Sequence, residues 1–599
     1  MNTRPRSRFF LRFLLAFTFN ILTGQLLFAA DPDPGLAAEG GTTKCCIGSD
    51  FNAAGPWAPT EAIAFGDFNG DGYQDAALGM PSFDVDNVED AGAVRVLYGS
   101  SEGLTTTDDP SVDLELWDQD RLEVSGSGEV EAGDRFGASL AVGDFNQDGY
   151  EDLAIGSPGE DSSAFEDSGQ VDIIHGSPSG LVGCHSCNNR HETLVRETFV
   201  LESAGTNFGS ALAAGDFHGD GYPDLAIGSP GEVNADGAIS GGVFLYTGSY
   251  SESPQWWYFG GVTRHYGIRS GFGSALAVGN FNGDKNPVTG LPLDDLAVGA
   301  PHDDVRLGSY YSFVTGGTVL IYEGSADGLK HDKTFHQDDP LLPTCSSYGN
   351  KLCEVGGRLE DGDQFGASLA VGNFDGDYNP DTNLSLDDLA IGVPGEGHWL
   401  KLSQVSAPGP FPDGVGKEYV EDAGAVNVIF GTRTGLEPQD NRIWHQDNGF
   451  DHTDMPDKVE AGDGFGSALA AGDFNDDLRD ELAVGVPYED LEGIPRAGLV
   501  HVLLGSSTLK DLEVWPHNRV WNHLQLDNPI RSNDWFGDAL GAGDVNGDGK
   551  IDLAIAAPVH ADVEGSVAHV LWGTRHHYGP GWNKWQSWYE ATNRLEEGP

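Results

Sequence analysis

One block of sequence occurs seven times along this chain of 599 residues, and it constrains the fold more than any other feature. AFGDFNGDGYQDAALGMP (64–81), AVGDFNQDGYEDLAIGSP (141–158) and AAGDFHGDGYPDLAIGSP (213–230) align without gaps, as do AAGDFNDDLRDELAVGVP (470–487) and GAGDVNGDGKIDLAIAAP (541–558). Two more copies begin AVGNFNGD (277) and AVGNFDGD (370), take an insertion, and rejoin at DDLAVGAP (294–301) and DDLAIGVP (387–394). Six of the seven follow a Phe-Gly: Phe136-Gly137, Phe208-Gly209, Phe272-Gly273, Phe365-Gly366, Phe465-Gly466 and Phe536-Gly537. The first has Pro59-Thr60 at that place, which leaves its opening strand undefined. A unit of this length is one supersecondary element that must stack on its neighbours to bury its faces.

Each unit reads as a strand after Phe-Gly, an acidic loop, a strand D-L-A-I-G, a connection, a third strand such as GAVRVLYGS (92–100) or GAVNVIFGT (424–432), and a variable outer strand. Period-two alternation and β-branched or aromatic residues mark the strands. Four strands per unit is one propeller blade. The sequence therefore predicts an all-β fold, a seven-bladed β-propeller of four-stranded antiparallel blades over residues 48–575. A solenoid is the structural alternative, but no atypical capping repeats flank the array. An outer strand from one terminus is expected to seal the ring.

Residues 1–30 carry Arg4, Arg6, Arg8 and Arg12 ahead of and into an apolar stretch, Phe13 to Phe28, which ends in Ala29-Ala30. That is signal-peptide anatomy, with an uncleaved anchor as the other reading. Residues 31–47 read as a linker and 576–599 as a C-terminal tail. Export suits the six cysteines: Cys184 with Cys187 and Cys345 with Cys353 are spaced for local disulfides, while Cys45 and Cys46 are adjacent. A lone C-x-x-C also occurs in zinc and redox sites, yet here it lacks a thioredoxin-like βαβ context.

The acidic loops carry the clearest chemistry. In Asp144-Phe-Asn146-Gln-Asp148-Gly-Tyr150-Glu-Asp152, oxygen donors fall at positions one, three and five, a backbone carbonyl is available at seven, and a carboxylate closes at nine. Calcium takes six to eight hard oxygens in flexible geometry, and a Gly at six permits the sharp turn. Magnesium demands tighter octahedral geometry. The spacing resembles an EF-hand loop cut short, with strands at its flanks.

The matching residues are Asp67, Asn69, Asp71, Tyr73 and Asp75 in loop 1, and Asp216, His218, Asp220, Tyr222 and Asp224 in loop 3. Loop 7 has Asp544, Asn546, Asp548, Lys550 and Asp552. His218 is a poor calcium ligand. Loop 6, with Asp473, Asn475, Asp477, Arg479 and Glu481, has Leu478 in place of the Gly and closes on a longer Glu. The inserted loops keep Asn280, Asn282, Asp284 and Asp295, and Asn373, Asp375, Asp377 and Asp388. Asp, Asn and Gly also favour turns without any metal. Carboxylates repeated at one, five and nine have no such explanation, so calcium is the predicted ligand, most strongly at loops 1, 2 and 7, then 3, then 4 to 6.

Phe-Gly, the calcium-type loop and Gly-x-Pro together resemble the FG-GAP repeats of the integrin α-subunit propeller. The resemblance covers roughly residues 48–575. It implies a seven-bladed disk with ligand-binding loops on one face and calcium loops on the other. Integrin α-subunits usually keep such loops only in later blades, whereas here every blade has one. No inserted adhesion domain, β-sandwich leg or C-terminal membrane helix is found, so heterodimer assembly is not implied.

A formal net charge of -62 repels nucleic-acid phosphates and anionic membranes, which argues against a nucleic-acid partner. The chain shows no nucleophile elbow, its one G-x-S-x-G (99–103) lying at the Gly-Ser end of a third strand, and it has no H-E-x-x-H and no phosphate-binding Gly loop. The paired His576 and His577 read as surface residues, and Trp582, Trp585, Trp588 and Tyr589 as cover for the last blade or a sugar-stacking platform. Two functions follow. One is a secreted, monomeric calcium-binding module for cell adhesion or for binding an extracellular protein or glycan, with the long segments Lys330–Leu359 and Gly395–Val420 as its recognition face. The other is a secreted hydrolase or lyase of polysaccharide or phospholipid that uses the propeller as scaffold.

Overall fold

Each repeat folds as one sheet because its second strand, apolar on both faces, is buried along its whole length. DLAIGS (152–157) and DLAVGA (295–300) have no exposed residue. A computed structural model describes residues 62–105, 116–122, 130–162, 165–182, 191–195, 204–233, 239–248, 256–260, 270–307, 312–337, 351–401, 417–439, 441–446, 459–506, 511–513, 519–526, 528–560, 565–574, 584–589 and 594–597. Across these the chain forms a seven-bladed β-propeller with no α-helix among the described residues. Blade 1 runs Ala62–Gly66, Asp75–Met80, Ala93–Leu97 and Leu116–Trp117, in sheet order equal to sequence order. Blades 2 and 3 repeat this plan from Ser139 and from Leu212.

The inserted repeats keep the plan. Blade 4 adds Lys351–Val355, which pairs in parallel with the outer strand Lys330–Gln337. The part of Lys330–Leu359 expected to be loop therefore begins and ends as sheet. Gly395–Val420 likewise opens and closes as a hairpin, His398–Lys401 against Lys417–Val420.

The ring closes by side-by-side packing of blades 7 and 1, whose first strands, Leu540–Gly543 and Ala62–Gly66, are neighbours. Every blade takes its strands in order from its own repeat, and the terminal outer strand is the C-terminal one. The opening strand left undefined by Pro59-Thr60 does form, with Ala62 opposite Gly79. Blade 7 takes its fourth strand from Trp585–Tyr589, and Trp588 is buried against the Ala76, Leu78 and Leu97 of blade 1. The N-terminal segment and Cys45, Cys46, Cys184, Cys187 and Cys345 lie outside the described residues, as do His576, His577 and Trp582. Cys353 is buried in the core shared by blades 4 and 5.

Phe-Gly and D-L-A-x-G explain each other at the blade junctions. Phe136, at the start of blade 2, is fully buried among Val94 and Val96 of blade 1 and Leu153 and Ile155 of its own blade. Burying such a ring is worth roughly 1.5–3 kcal/mol. Beside it, a Cβ on Gly79 would lie 2.0 Å from the carbonyl of Gly137. The same approach recurs at Gly156 with Gly209, Gly228 with Gly273, Gly299 with Gly366, Gly392 with Gly466 and Gly485 with Gly537. In blade 7 the position is Ala556, and the next blade around the ring is blade 1, the one without Phe-Gly.

First strands run from the Phe-Gly corner to the acidic loop and second strands run back. All seven acidic loops thus share one face, and the Phe-Gly corners and long connections share the other.

Candidate metal centres in the acidic loops

In every blade the closing residue stands opposite the Gly that precedes position one: Asp75 pairs with Gly66, Asp152 with Gly143, Asp224 with Gly215, Asp295 with Gly279, Asp388 with Gly372, Glu481 with Gly472 and Asp552 with Gly543. The insertions of blades 4 and 5 therefore bulge out without shifting the frame.

Loop 1 shows the common geometry. The Asp67 carboxylate accepts the N–H of Asp71 at 3.0 Å and of Gly72 at 2.9 Å, and Asn69 Oδ1 accepts the same Asp71 N–H at 2.8 Å. Asp71 Oδ1 accepts the N–H of Tyr73 at 3.0 Å. Loops 2 and 7 repeat all four bonds, through Asp144, Asn146, Asp148 and Tyr150 and through Asp544, Asn546, Asp548 and Lys550. Loop 3 repeats the bonds made by Asp216, Asp220 and Tyr222, and loop 6 those made by Asp473, Asp477 and Arg479. In loops 1, 2 and 7 the side-chain oxygens at positions one and three thus accept the same N–H, that of position five.

The closing carboxylate is an anchor as well as a candidate ligand. Asp75, fully buried, accepts Phe68 N–H at 3.0 Å and Gly99 N–H at 2.9 Å, tying the loop to the end of the third strand. Asp295, Asp388 and Asp552 hold the same two places with Phe281 and Gly324, Phe374 and Gly431, and Val545 and Gly573. Burial pushes Asp75 up to about 7 and Asp552 up to about 8, with the neighbouring loop carboxylates adding to the rise. It lifts Asp295, Asp388 and Glu481 well above the usual range too. A cation among these oxygens would reverse that cost.

Neutralisation separates the loops. In loop 7 Lys550 Nζ sits 2.6 Å from Asp548, and in loop 6 the Arg479 guanidinium sits 2.7 Å from Asp477. In loop 3 His218 Nδ1 is 2.8 Å from Asp224, which raises the imidazole pKa. Loops 4 and 5 have the neutral Asn280 and Asn373 at position one, and these close on themselves by donating Nδ2 to the Asp284 and Asp377 carbonyls at 3.0 and 2.8 Å. Asn282 and Asp375 still accept from Asp284 and Asp377 N–H. The insertions lie over the preceding loops: Asn286 donates to the His218 carbonyl at 2.7 Å and Asn379 to that of Asn282 at 3.1 Å. Asp67 and Asp71, and Asp144 and Asp148, thus form the two loops with Asp at both one and five and no basic residue within the motif.

Sequence reasoning missed position eight. Glu151 of blade 2 accepts the N–H of Asp67 in loop 1 at 2.6 Å, and Asp294, Asp387 and Asp480 do the same for Asp216, Asn280 and Asn373 at 2.8, 2.9 and 2.7 Å. Loops 1, 3, 4 and 5 are thus held by the blade beside them, whereas the residues at this place next to loops 2 and 6 are Pro223 and Ile551. Recurrence of acidic or amide residues at 74, 151, 294, 387 and 480 was the available signal.

Fold and loops together define a propeller with acidic β-hairpin loops on one face. The chain carries the FG-GAP repeat, which matches at residues 60–97, 136–174, 208–243, 465–503 and 536–570. The two inserted repeats fall outside those matches yet form the same blades. Among relatives, it is 36% identical over 174 residues to the phosphatidylinositol-glycan-specific phospholipase D of Homo sapiens and 34% to that of Bos taurus, covering 29% of this chain and 18% of each relative. It is 35% identical over 179 residues to integrin alpha-7 of Mus musculus, covering 29% of this chain and 12% of that one. The matches thus span under a fifth of these relatives' lengths.

Proposed function

We propose that this chain is a secreted, monomeric propeller whose acidic loops bind calcium and whose opposite face binds an extracellular protein or glycan, as an integrin α-like adhesion module. The observation that carries the reading is loop 1, whose Asp67 and Asp71 are fixed by the same backbone bonds as Asp144 and Asp148 of loop 2 but without a basic side chain such as His175, which lies 3.1 Å from the closing Asp152. Oxygen-only donors at this spacing favour calcium. Loop 1 ranks first. Loops 2, 3, 6 and 7 follow, because a basic side chain must leave before a cation enters, and loops 4 and 5 rank last. No described helix is long and apolar enough to cross a membrane. The test is a calcium titration monitored by thermal unfolding, since a ligand that binds only the native state raises its stability. No shift at millimolar calcium, against a chelated control, would remove the metal reading.

A second reading has the phospholipase D similarity in its favour: a hydrolase or lyase of phospholipid or polysaccharide, with the propeller as scaffold. A glycan and phospholipid panel scored for both retention and product release separates the two.

A further inference from the structure

At the corner face, opposite the acidic loops, a second carboxylate constellation recurs. Glu-x-Gly-Asp-x-Phe-Gly opens blades 2, 5 and 6, at 131–137, 360–366 and 460–466. In each, the first Glu N–H donates to the Asp: Glu131 to Asp134 at 2.6 Å, Glu360 to Asp363 at 2.5 Å and Glu460 to Asp463 at 2.6 Å. The connection after the second strand brings a further Glu to each corner: Glu160, Glu396 and Glu489. The preceding blade adds an amide just past its outer strand, as Gln119 donates to Glu160 and Gln446 to Glu489, both at 2.5 Å.

Between blades 5 and 6 the three carboxylates converge. Glu460, Asp463 and Glu489 each present an oxygen within 4.8 Å of the others, with Glu460 exposed and the other two buried. Gln446, only 1% exposed and held over Glu489, leaves its Oε1 without a hydrogen-bond partner. Such an oxygen has no reason to be buried unless something there accepts its lone pair. The equivalent Oε1 of Gln119 is left in the same state at the blade 1/2 corner, as is Oε2 of Glu396 at the blade 4/5 corner.

Blade 7 supplies an internal comparison. Its corner, Arg-Ser-Asn-Asp-Trp-Phe-Gly (531–537), keeps the Asp, and Arg531 N–H donates to Asp534 at 2.7 Å. There Arg531 stands in place of the Glu, and His523 in place of the Gln with Nε2 3.8 Å from Asp534. With Arg531 in place of the Glu, this corner does not repeat the carboxylate triad.

We propose that Glu460, Asp463 and Glu489, with Gln446 Oε1, form a second class of calcium site on the corner face, separate from the acidic loops. The donors are all oxygens, carboxylates with an amide carbonyl, which suits a hard cation rather than zinc or copper. One approach is from solvent past Glu460, the exposed member. Bound there, the ion would join the start of blade 6 to the outer strand of blade 5 on the face that carries the long connections.

The test is equilibrium dialysis of the full-length chain with radioactive calcium, comparing wild type, Glu460→Arg, Glu489→Gln and the loop variant Asp67→Asn/Asp71→Asn. Glu460→Arg copies the arrangement of blade 7 at an exposed position and is expected to fold, and circular dichroism checks each variant. Either corner variant is expected to bind one calcium fewer, or one at least tenfold more weakly, and to lose it independently of the loop variant. Unchanged number and affinity in a folded Glu460→Arg protein would overturn the corner site and leave the loop sites standing. Unchanged binding in the loop variant alone would count against the loops and not the corner.

Discussion

The backbone N–H of Asp544 donates to Oε1 of Gln74 at 2.7 Å, and Gln74 N–H returns to the Asp544 carbonyl at 3.2 Å, joining residues 470 apart in sequence. This is the seam of the ring. Its form is the one used between interior blades, where Glu151 and Asp67 make the same reciprocal pair. Gln74→Ala is therefore expected to cost about 1 kcal/mol, the net worth of one neutral hydrogen bond. Hydrogen exchange should quicken in Ala62–Gly66 and Leu540–Gly543 before other first strands. Glu151→Ala removes a charge-assisted bond and should cost more, about 1.5–3 kcal/mol. Equal exchange at every junction in the Gln74 variant would show that the seam does not depend on this contact.

Removing a built-in cation should improve a loop. Lys550 Nζ occupies the Asp548 carboxylate at 2.6 Å, so Lys550→Ala frees that oxygen and raises the loop's negative charge. Calcium affinity at loop 7 is expected to rise at least tenfold by calorimetry, while Asp71→Asn or Asp148→Asn lowers affinity at loops 1 and 2 by a similar factor, because ligand charge tunes calcium affinity. A Lys550→Ala protein with unaltered calcium binding would mean that loop 7 is a turn and nothing more.

The corner carboxylates set a pH dependence. Burial raises Glu160 and Glu396 to about 8, and Asp134 and Asp363 to about 7, with adjacent carboxylates contributing. Between roughly pH 4 and pH 8 the folded chain keeps protons that the unfolded chain has released. Stability is then present in full below the unfolded values and is lost as pH rises through the folded ones. The cation-free protein should melt at progressively lower temperature from pH 5 to pH 8, and Glu160→Gln should flatten the curve. A melting temperature that rises over this range in chelator would contradict the assignment.

Much of this was legible in the sequence because the repeat spells out its own packing. Phe136 and Gly79 must sit where they do for one blade to seat on the next, and the exception, Ala556, coincides with Pro59-Thr60 at the seam. What stayed hidden depends on partners far apart in the chain. Gln74 and Asp544 meet only once the ring is closed, and Glu460 reaches Glu489 across two strands of its own blade. In a chain with 94 acidic residues, one more Glu carries little signal by itself. The side chains of Lys550 and Arg479 were read only as bearers of a backbone carbonyl, so their pairing with the position-five carboxylates went unforeseen.

The blade junction offers the sharpest test of the fold. A Cβ on Gly228 would stand 2.0 Å from the Gly273 carbonyl, a rigid backbone atom that no side-chain rotation can clear. Gly228→Ala must therefore push blade 4 away from blade 3, disturbing the buried Phe272 that packs with Leu245, Leu296 and Val298. Overpacking of this kind costs about 1–3 kcal/mol, and loss of the ring's packing adds to it. Ala556→Gly, at the one junction where the next blade lacks Phe-Gly, has no clash to relieve and should change stability by under about 1 kcal/mol. Denaturant unfolding of the two variants measures the contrast. If Gly228→Ala were as stable as wild type, the close approach of the paired glycines would not be what sets the spacing of the blades.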